Sequence, residues 1–162
     1  MRSVRISLAI VAVAALVAVS MPTAAQAAFQ ASPYDNTNPQ TTGCAADAVS
    51  LVTYPINSTT TGLQVGTLDV RYSANCDSNW VRVNNTIAGA VANKYIARHR
   101  THLPEGGAME FVEQTESDQA TGWSYGMQFG RASISCIAVG GWLSTTNGTV
   151  IAIVPGGSKV LC

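Results

Sequence analysis

Charge, histidine and closely spaced cysteine are all scarce in this chain, and each scarcity removes a class of function. Of 162 residues only 11% are charged and two are histidine, with nine Lys plus Arg set against nine Asp plus Glu. A basic footprint for nucleic acid is therefore absent. The four cysteines, Cys44, Cys76, Cys136 and Cys162, include no Cys-x-x-Cys pair, so a zinc knuckle or a thioredoxin-like redox site lacks its ligands. Gly122-Trp123-Ser124-Tyr125-Gly126 spells Gly-x-Ser-x-Gly, but inside a predicted strand rather than at the strand-to-helix turn that a nucleophile elbow requires. Internal repeats, charge runs and a sustained 3.6-residue period are missing too. The best helical stretch, "TIAGAVANKYIA" from Thr86 to Ala97, carries a glycine and β-branched residues and supports one short helix or turn at most.

What is present begins with an export signal. Arg2 and Arg5 precede an apolar run from Ile6 to Val19, followed by Pro22 and the small-residue site Ala25-Gln26-Ala27. Cleavage before Ala28 is expected, since the run is short and Ala-rich for a bilayer core of ~20 residues. Taking 27 residues from 162 leaves 135, enough for one domain, and removing Arg2 and Arg5 leaves seven cations against nine carboxylates, a net charge of −2. No stable membrane anchor remains after cleavage. An even number of cysteines in an exported chain reads as two disulfides.

Residues 28 to 43, "AFQASPYDNTNPQTTG", are polar with two prolines, which predicts a loose N-terminal lead-in. From Cys44 to Cys162 short runs of Val, Ile, Thr, Tyr and Trp are broken by Gly, Asn and Pro about every ten residues. That texture predicts a single all-β domain, a small antiparallel sandwich or barrel stapled by disulfides.

Registers follow from the turns. A first turn centred near Thr60, in "NSTTTG", pairs Val52 with Leu68, Ser50 with Val70 and Ala48 with Tyr72 on a mostly apolar face, leaving Thr53 with Thr67 and Leu51 with Asp69 on the wetter one. The same register sets Cys44 opposite Cys76. At the other end, Asn147-Gly148 is a strong two-residue turn signal, because both positions favour positive φ. It pairs Trp142 with Ile153 and Ser144 with Ile151, and brings Cys136 opposite Lys159. That is three residues short of Cys162, and "PGG" at Pro155 to Gly157 is a place for a bulge or loop to absorb the difference. Cys136 with Cys162 is thus the second bridge. Each bridge closes a loop of about 30 residues, a stabilisation of roughly 3–4 kcal/mol. A third hairpin around "LPEGG" faces Arg100 with Glu110 and His99 with Phe111, gathering Tyr95, Ala97, His99, Met109 and Phe111 on one face and Arg98, Arg100 and Glu110 on the other. A further strand is predicted in "GWSYGMQFG", Gly122 to Gly130.

Reactive groups are few. Pairing consumes Cys76, so it is a staple rather than a nucleophile. His99 and His102 are three apart on a strand and point to opposite faces, which denies them a shared metal ion. Glu110, Glu113 and Glu116 offer carboxylates for general acid and base work, but read more simply as exposed partners of Arg98 and Arg100. Asp35, Asn36 and Asn38 offer oxygen ligands for Ca²⁺, and an Asx-type turn explains the same residues. The sequons at Asn57, Asn84 and Asn147 fall in predicted turns or strand ends. No catalytic residue, metal or cofactor is assigned.

Of the three tryptophans, Trp80 shares one strand face with Arg82, where it is either exposed or stacked on Arg71 or Arg82. The second face of the last hairpin, with Ile137, Val139, Leu143, Val150 and Val154, is also apolar, and is either buried by another sheet or met by a partner.

The segments "YDNTNPQTTGCAADAV" and "GTLDVRYSANCDSNWVRV" resemble the YjfA-like family of exported Gram-positive, chiefly actinobacterial, domains of unknown function. Tyr34, Asp35, Gly43, Cys44, Asp47, Ala48, Arg71, Tyr72, Ser73, Cys76, Asn79 and Trp80 carry the likeness, which is specific over residues 34 to 83. "GWSYGMQFG" looks like the family's later Met-containing strand. Asn36 and Val70 stand where glycine and leucine are usual, and Cys136 and Cys162 lie outside the pattern. The resemblance implies a secreted globular domain, sometimes attached to membrane-anchored regulators, and supplies no activity. The expectation is a secreted module that binds an extracellular or cell-wall ligand through Trp80, Arg71 and Arg82. The competing readings are a small hydrolase of wall polymers using Glu110 or Glu113 with His99, and a secreted inhibitor or toxin presenting "LPEGG".

Overall fold

A computed structural model of the chain describes residues 32–99 and 111–162. The export signal, His102 and the Arg100–Glu110 pair lie outside these residues. Ten antiparallel strands fill the described chain: β1 (Val49–Ser58), β2 (Gln64–Ser73), β3 (Ser78–Asn85), β4 (Val91–His99), β5 (Phe111–Asp118), β6 (Gly122–Tyr125), β7 (Phe129–Gly130), β8 (Cys136–Ser144), β9 (Val150–Ile153) and β10 (Lys159–Leu161). They form one sheet in the order β5-β4-β8-β9-β1-β2-β3-β6, with β10 beside β8 and β7 beside β3. The sheet curls into a nearly closed barrel whose two ends, β5 and β6, are consecutive in the chain.

Alternation along each strand builds the interior. Ile56, Leu68, Val70, Val81, Val83, Ile96, Ile137, Val139 and Leu143 point inward and pack as one buried cluster with Phe129, Ala152 and Val154. The inner face of the last hairpin is thus covered by the opposite wall, except that Val150 is exposed. Gly141 makes the approach close, because a Cβ there would stand 3.1 Å from Leu68 Cδ1 and 3.3 Å from Val83 Cγ2.

Three turns decide the registers. The first hairpin closes by Gly62 N–H donating to Ser58 O, with Gly62 at φ 72°, so its centre lies one residue beyond Thr60. Val52 therefore faces Val70, and Thr53 faces Asp69. A bulge at Leu51 then shifts the strand again, setting Ser50 opposite Arg71 and Val49 opposite Tyr72. The face parity survives the two-residue offset near the turn, but the individual pairs expected from a Thr60 centre do not. In the last hairpin Trp142 does face Ile153, while Ser144 faces Val150 rather than Ile151. The reason is that Gly148 alone adopts positive φ, giving a three-residue loop with a bulge instead of a two-residue turn. Beyond β9 the turn at Gly156 and Gly157 absorbs three residues, and β10 pairs Leu161 with Ile137.

Both bridges are present, Cys44–Cys76 and Cys136–Cys162. The second continues the β8–β10 register. The first does not sit on paired strands: Cys44 opens a 3-10 turn ahead of β1, and Cys76 lies in the turn between β2 and β3. The stretch Thr86–Ala97 holds no helix but a turn at Ile87–Ala90 followed by β4.

On β4 the charged face is the inner one. Ala92, Lys94, Ile96 and Arg98 alternate inward, and Lys94 and Arg98 are each 1% exposed. Arg98 is therefore no surface partner for glutamates. Its Nη1 donates to Asp35 Oδ1 at 2.6 Å and to Gly130 O at 2.7 Å. Asp35 belongs to the expected lead-in, and residues 32–43 are fastened to the barrel rather than loose. Thr37 bridges Gln128, and the buried Gln128 side chain accepts from Ser78 Oγ and donates to Thr37 Oγ1 and Thr42 Oγ1.

Candidate functional site

Residues that a barrel wall turns outward are the ones free to serve a ligand. On β2 and β3 these are Arg71 and Trp80, which face each other, and Asp69 and Arg82, which do likewise. The two arginines do converge, but around a buried carboxylate. Arg82 Nε donates to Asp69 Oδ2 at 2.7 Å, and Arg71 Nη1 lies 3.8 Å from the same oxygen. Ser50 Oγ is the second hydrogen-bond donor to it, at 3.0 Å. Arg71 is further held by Ser50 Oγ and the Ala48 carbonyl.

Trp80 does not belong to an accessible cluster. It is 1% exposed, among the largest fully buried side chains of the molecule, so it serves packing and offers no face to a ligand. The aromatic groups that do reach solvent come from β6, where Trp123 is 40% and Tyr125 37% exposed. Registered pairing sets Tyr125 beside Arg82 and Trp123 beside Asn84. The Arg82 guanidinium lies 4.2 Å from the centroid of the Trp123 ring and 6.0 Å from that of Tyr125. Asp69 thus fixes Arg82, and Arg82 fixes the indole, a cation–π contact worth about 0.5–1 kcal/mol at such a site. The signal for this pair was in "GWSYG": two rings at period two, bracketed by glycines, must share a strand face.

A second feature is the splayed end of the barrel. β1 pairs with β9 only at Asn57 and Ser58, and beyond that the walls part. The resulting cleft of about 350 Å³ is lined by Leu51, Tyr72, Asn79, Ser135, Ile137 and Leu161, among others. No carboxylate or imidazole side chain stands among its described lining residues.

Carboxylates collect elsewhere, at the seam between β5 and β6. Lys94 Nζ donates to Asp118 Oδ2, to Ser124 Oγ at 3.1 Å and to the Ala92 carbonyl at 3.4 Å. Ser124 lies within β6 and is buried, so it stands on no strand-to-helix turn. Glu116 accepts from Met127 N–H at 3.1 Å, and burial pushes its carboxyl above the usual range, against the pull of that hydrogen bond and of Lys94. The seam is a side-chain closure of the barrel. Glu113, by contrast, is exposed opposite Ala97. Its alternative in that reading, Glu110, lies outside the described residues, as does the side chain of His99.

The calcium ligands suggested by "YDNTNP" are otherwise engaged. Asp35 holds Arg98 and Gly130 N–H, Asn38 Oδ1 accepts from Gln40 N–H in an Asx turn, and Asn36 Oδ1 accepts from Gln114. Among the described residues no group of three His, Cys, Asp or Glu stands together as a metal cage.

The class is thus a disulfide-stapled antiparallel β-barrel with an aromatic outer face. The chain belongs to the family described as "Protein of unknown function (DUF2690)", whose model matches residues 32–133. No curated protein and no solved structure matches it. The matched span takes in the fastened lead-in, the Cys44–Cys76 bridge and the Arg82–Trp123 pair. It stops ahead of Cys136, although β8 is the strand that joins β4 to the rest of the sheet.

Proposed function

We propose that the protein is a secreted module of the extracellular space or cell envelope, of the YjfA-like kind, that binds a ligand through Arg82, Trp123 and Tyr125. The observation that carries this reading is the clamp on Trp123. An exposed indole held by a guanidinium that is itself held by a buried carboxylate loses little freedom on binding, which is how a surface aromatic becomes an affinity anchor. Two disulfides favour an oxidising compartment. No helix of the described residues is long and apolar enough to cross a membrane.

The test is capture of the purified, oxidised protein by cell-wall fractions and culture supernatant. Trp123→Ala is expected to reduce capture at least tenfold with the melting temperature little changed. Equal capture by the variant removes this face as the binding site.

A further inference from the structure

Resting on the reading of this face as a binding site, we infer that its ligand is an uncharged polysaccharide chain, laid along β6 with successive sugar rings on Trp123 and Tyr125. Two registered rows run across the outer wall. One comprises Trp123, Asn84, Thr67 and Pro55, and the other Tyr125, Arg82, Asp69 and Thr53. The first row offers an aromatic plane followed by an amide and a hydroxyl. The rings are two residues apart on one strand, about 7 Å along it. That arrangement suits a polymer with a repeating apolar face and hydroxyl edges.

The charge of the face argues against the other occupants. Arg82 is turned toward Asp69 and the indole, and the Arg71 side chain, 16% exposed, is spent on Ser50, Ala48 and Asp69. An anionic polymer would find in these two rows one guanidinium set against one carboxylate, with no net positive charge. A nucleic-acid single strand would use the same stacking but needs a basic track, which two guanidiniums around one carboxylate do not make. A stable protein interface buries about 800 Å² per partner around an apolar centre, and two rings with Pro55 as their aliphatic neighbour do not furnish one.

The ligand-class test uses three probes: the hexamer of β-1,4-linked N-acetylglucosamine, the hexamer of β-1,4-linked glucose, and polygalacturonate. Binding is followed by tryptophan fluorescence and calorimetry on the oxidised protein, alongside sedimentation with a wall fraction. At least one neutral hexamer is expected to bind saturably, at least tenfold more weakly to Trp123→Ala and severalfold more weakly to Tyr125→Ala and Arg82→Gln, while polygalacturonate does not bind. Sedimentation with the wall that depends on Trp123, without affinity for either neutral hexamer or with preference for polygalacturonate, overturns the polysaccharide assignment and leaves the binding face standing. Sedimentation that ignores Trp123→Ala, or none by the wild type, overturns both. Circular dichroism of each variant separates loss of binding from loss of fold.

Discussion

Arg98 and Asp35 meet as fork to fork, with Nη1 2.6 Å from Oδ1 and Nη2 3.1 Å from Oδ2, and they join the fourth strand to a segment 63 residues earlier in the chain. Arg98 is fully buried and Asp35 largely so. Removing one partner of such a pair leaves a charge in a low-dielectric interior, typically a loss of about 3–5 kcal/mol. Asp35→Ala is therefore expected to lower the unfolding free energy by that amount in urea titration. Replacing both partners together, as Asp35→Leu with Arg98→Met, is expected to be less damaging than Asp35→Ala alone. A double variant at least as unstable as the single one would show that the pair does not act as a unit.

Trp80 and Trp123 make opposite predictions from the same residue type. Trp80→Ala empties a fully buried position, and a loss of roughly 3–5 kcal/mol is expected. Trp123→Ala gives up a surface cation–π contact, with a loss of about 1 kcal/mol or less. Equilibrium denaturation of the two variants checks this directly. Comparable losses would mean that the indole of Trp123 is structural and its exposure incidental.

The bridges differ in what surrounds them. Cys44 is buried, and its sulfur receives contacts from Thr42 and Gln128 within the polar cluster that ties down the lead-in, whereas Cys136–Cys162 fastens the last strand to β8. Loop-closure arithmetic for separations of 32 and 26 residues gives nearly equal stabilisation, about 3–4 kcal/mol each. Cys44→Ser with Cys76→Ser is expected to lower the melting temperature more than the second double substitution, because it also loosens Gln128. Peptide mapping without reduction checks the pairing, and any link between Cys44 and Cys136 or Cys162 would contradict the fold.

Those pairings show how far the residues alone lead. The all-β class, the Cys136–Cys162 bridge and the Trp142–Ile153 and His99–Phe111 pairs follow from turn chemistry and period two, whereas Cys44–Cys76 forms although the register that led to it does not. What failed was anything set by a single inserted residue: the bulge at Leu51 and the left-handed Gly62 move the first hairpin by one or two places, and no periodicity announces either. Alternation likewise assigns Lys94 and Arg98 to one face but does not say which face is inside. Charge argues for the outside, and the partners that hold both side chains inward, Asp118 and Asp35, come from other parts of the chain. Trp80 shares that logic. Its face was legible, but its burial depends on its neighbours in space. The Arg82–Trp123 contact links strands that are 41 residues apart in sequence but adjacent in the sheet.

Glu116 supplies the pH dependence that this architecture predicts. Burial raises its carboxyl above the ordinary value, Asp118 raises it further, and Lys94 with the Met127 amide opposes both. A folded-state pKa above the unfolded one means that the group's contribution to stability is complete below the ordinary glutamate range and is lost as pH climbs through the raised value. Glu116→Gln keeps an acceptor for Met127 N–H and removes the titration. The difference in melting temperature, variant minus wild type, is thus expected to become more positive between pH 4 and pH 7. Scanning calorimetry across that range reads the trend. A difference that falls with rising pH would mean that attraction to Lys94 outweighs burial, and that the carboxylate form holds the β5–β6 seam together.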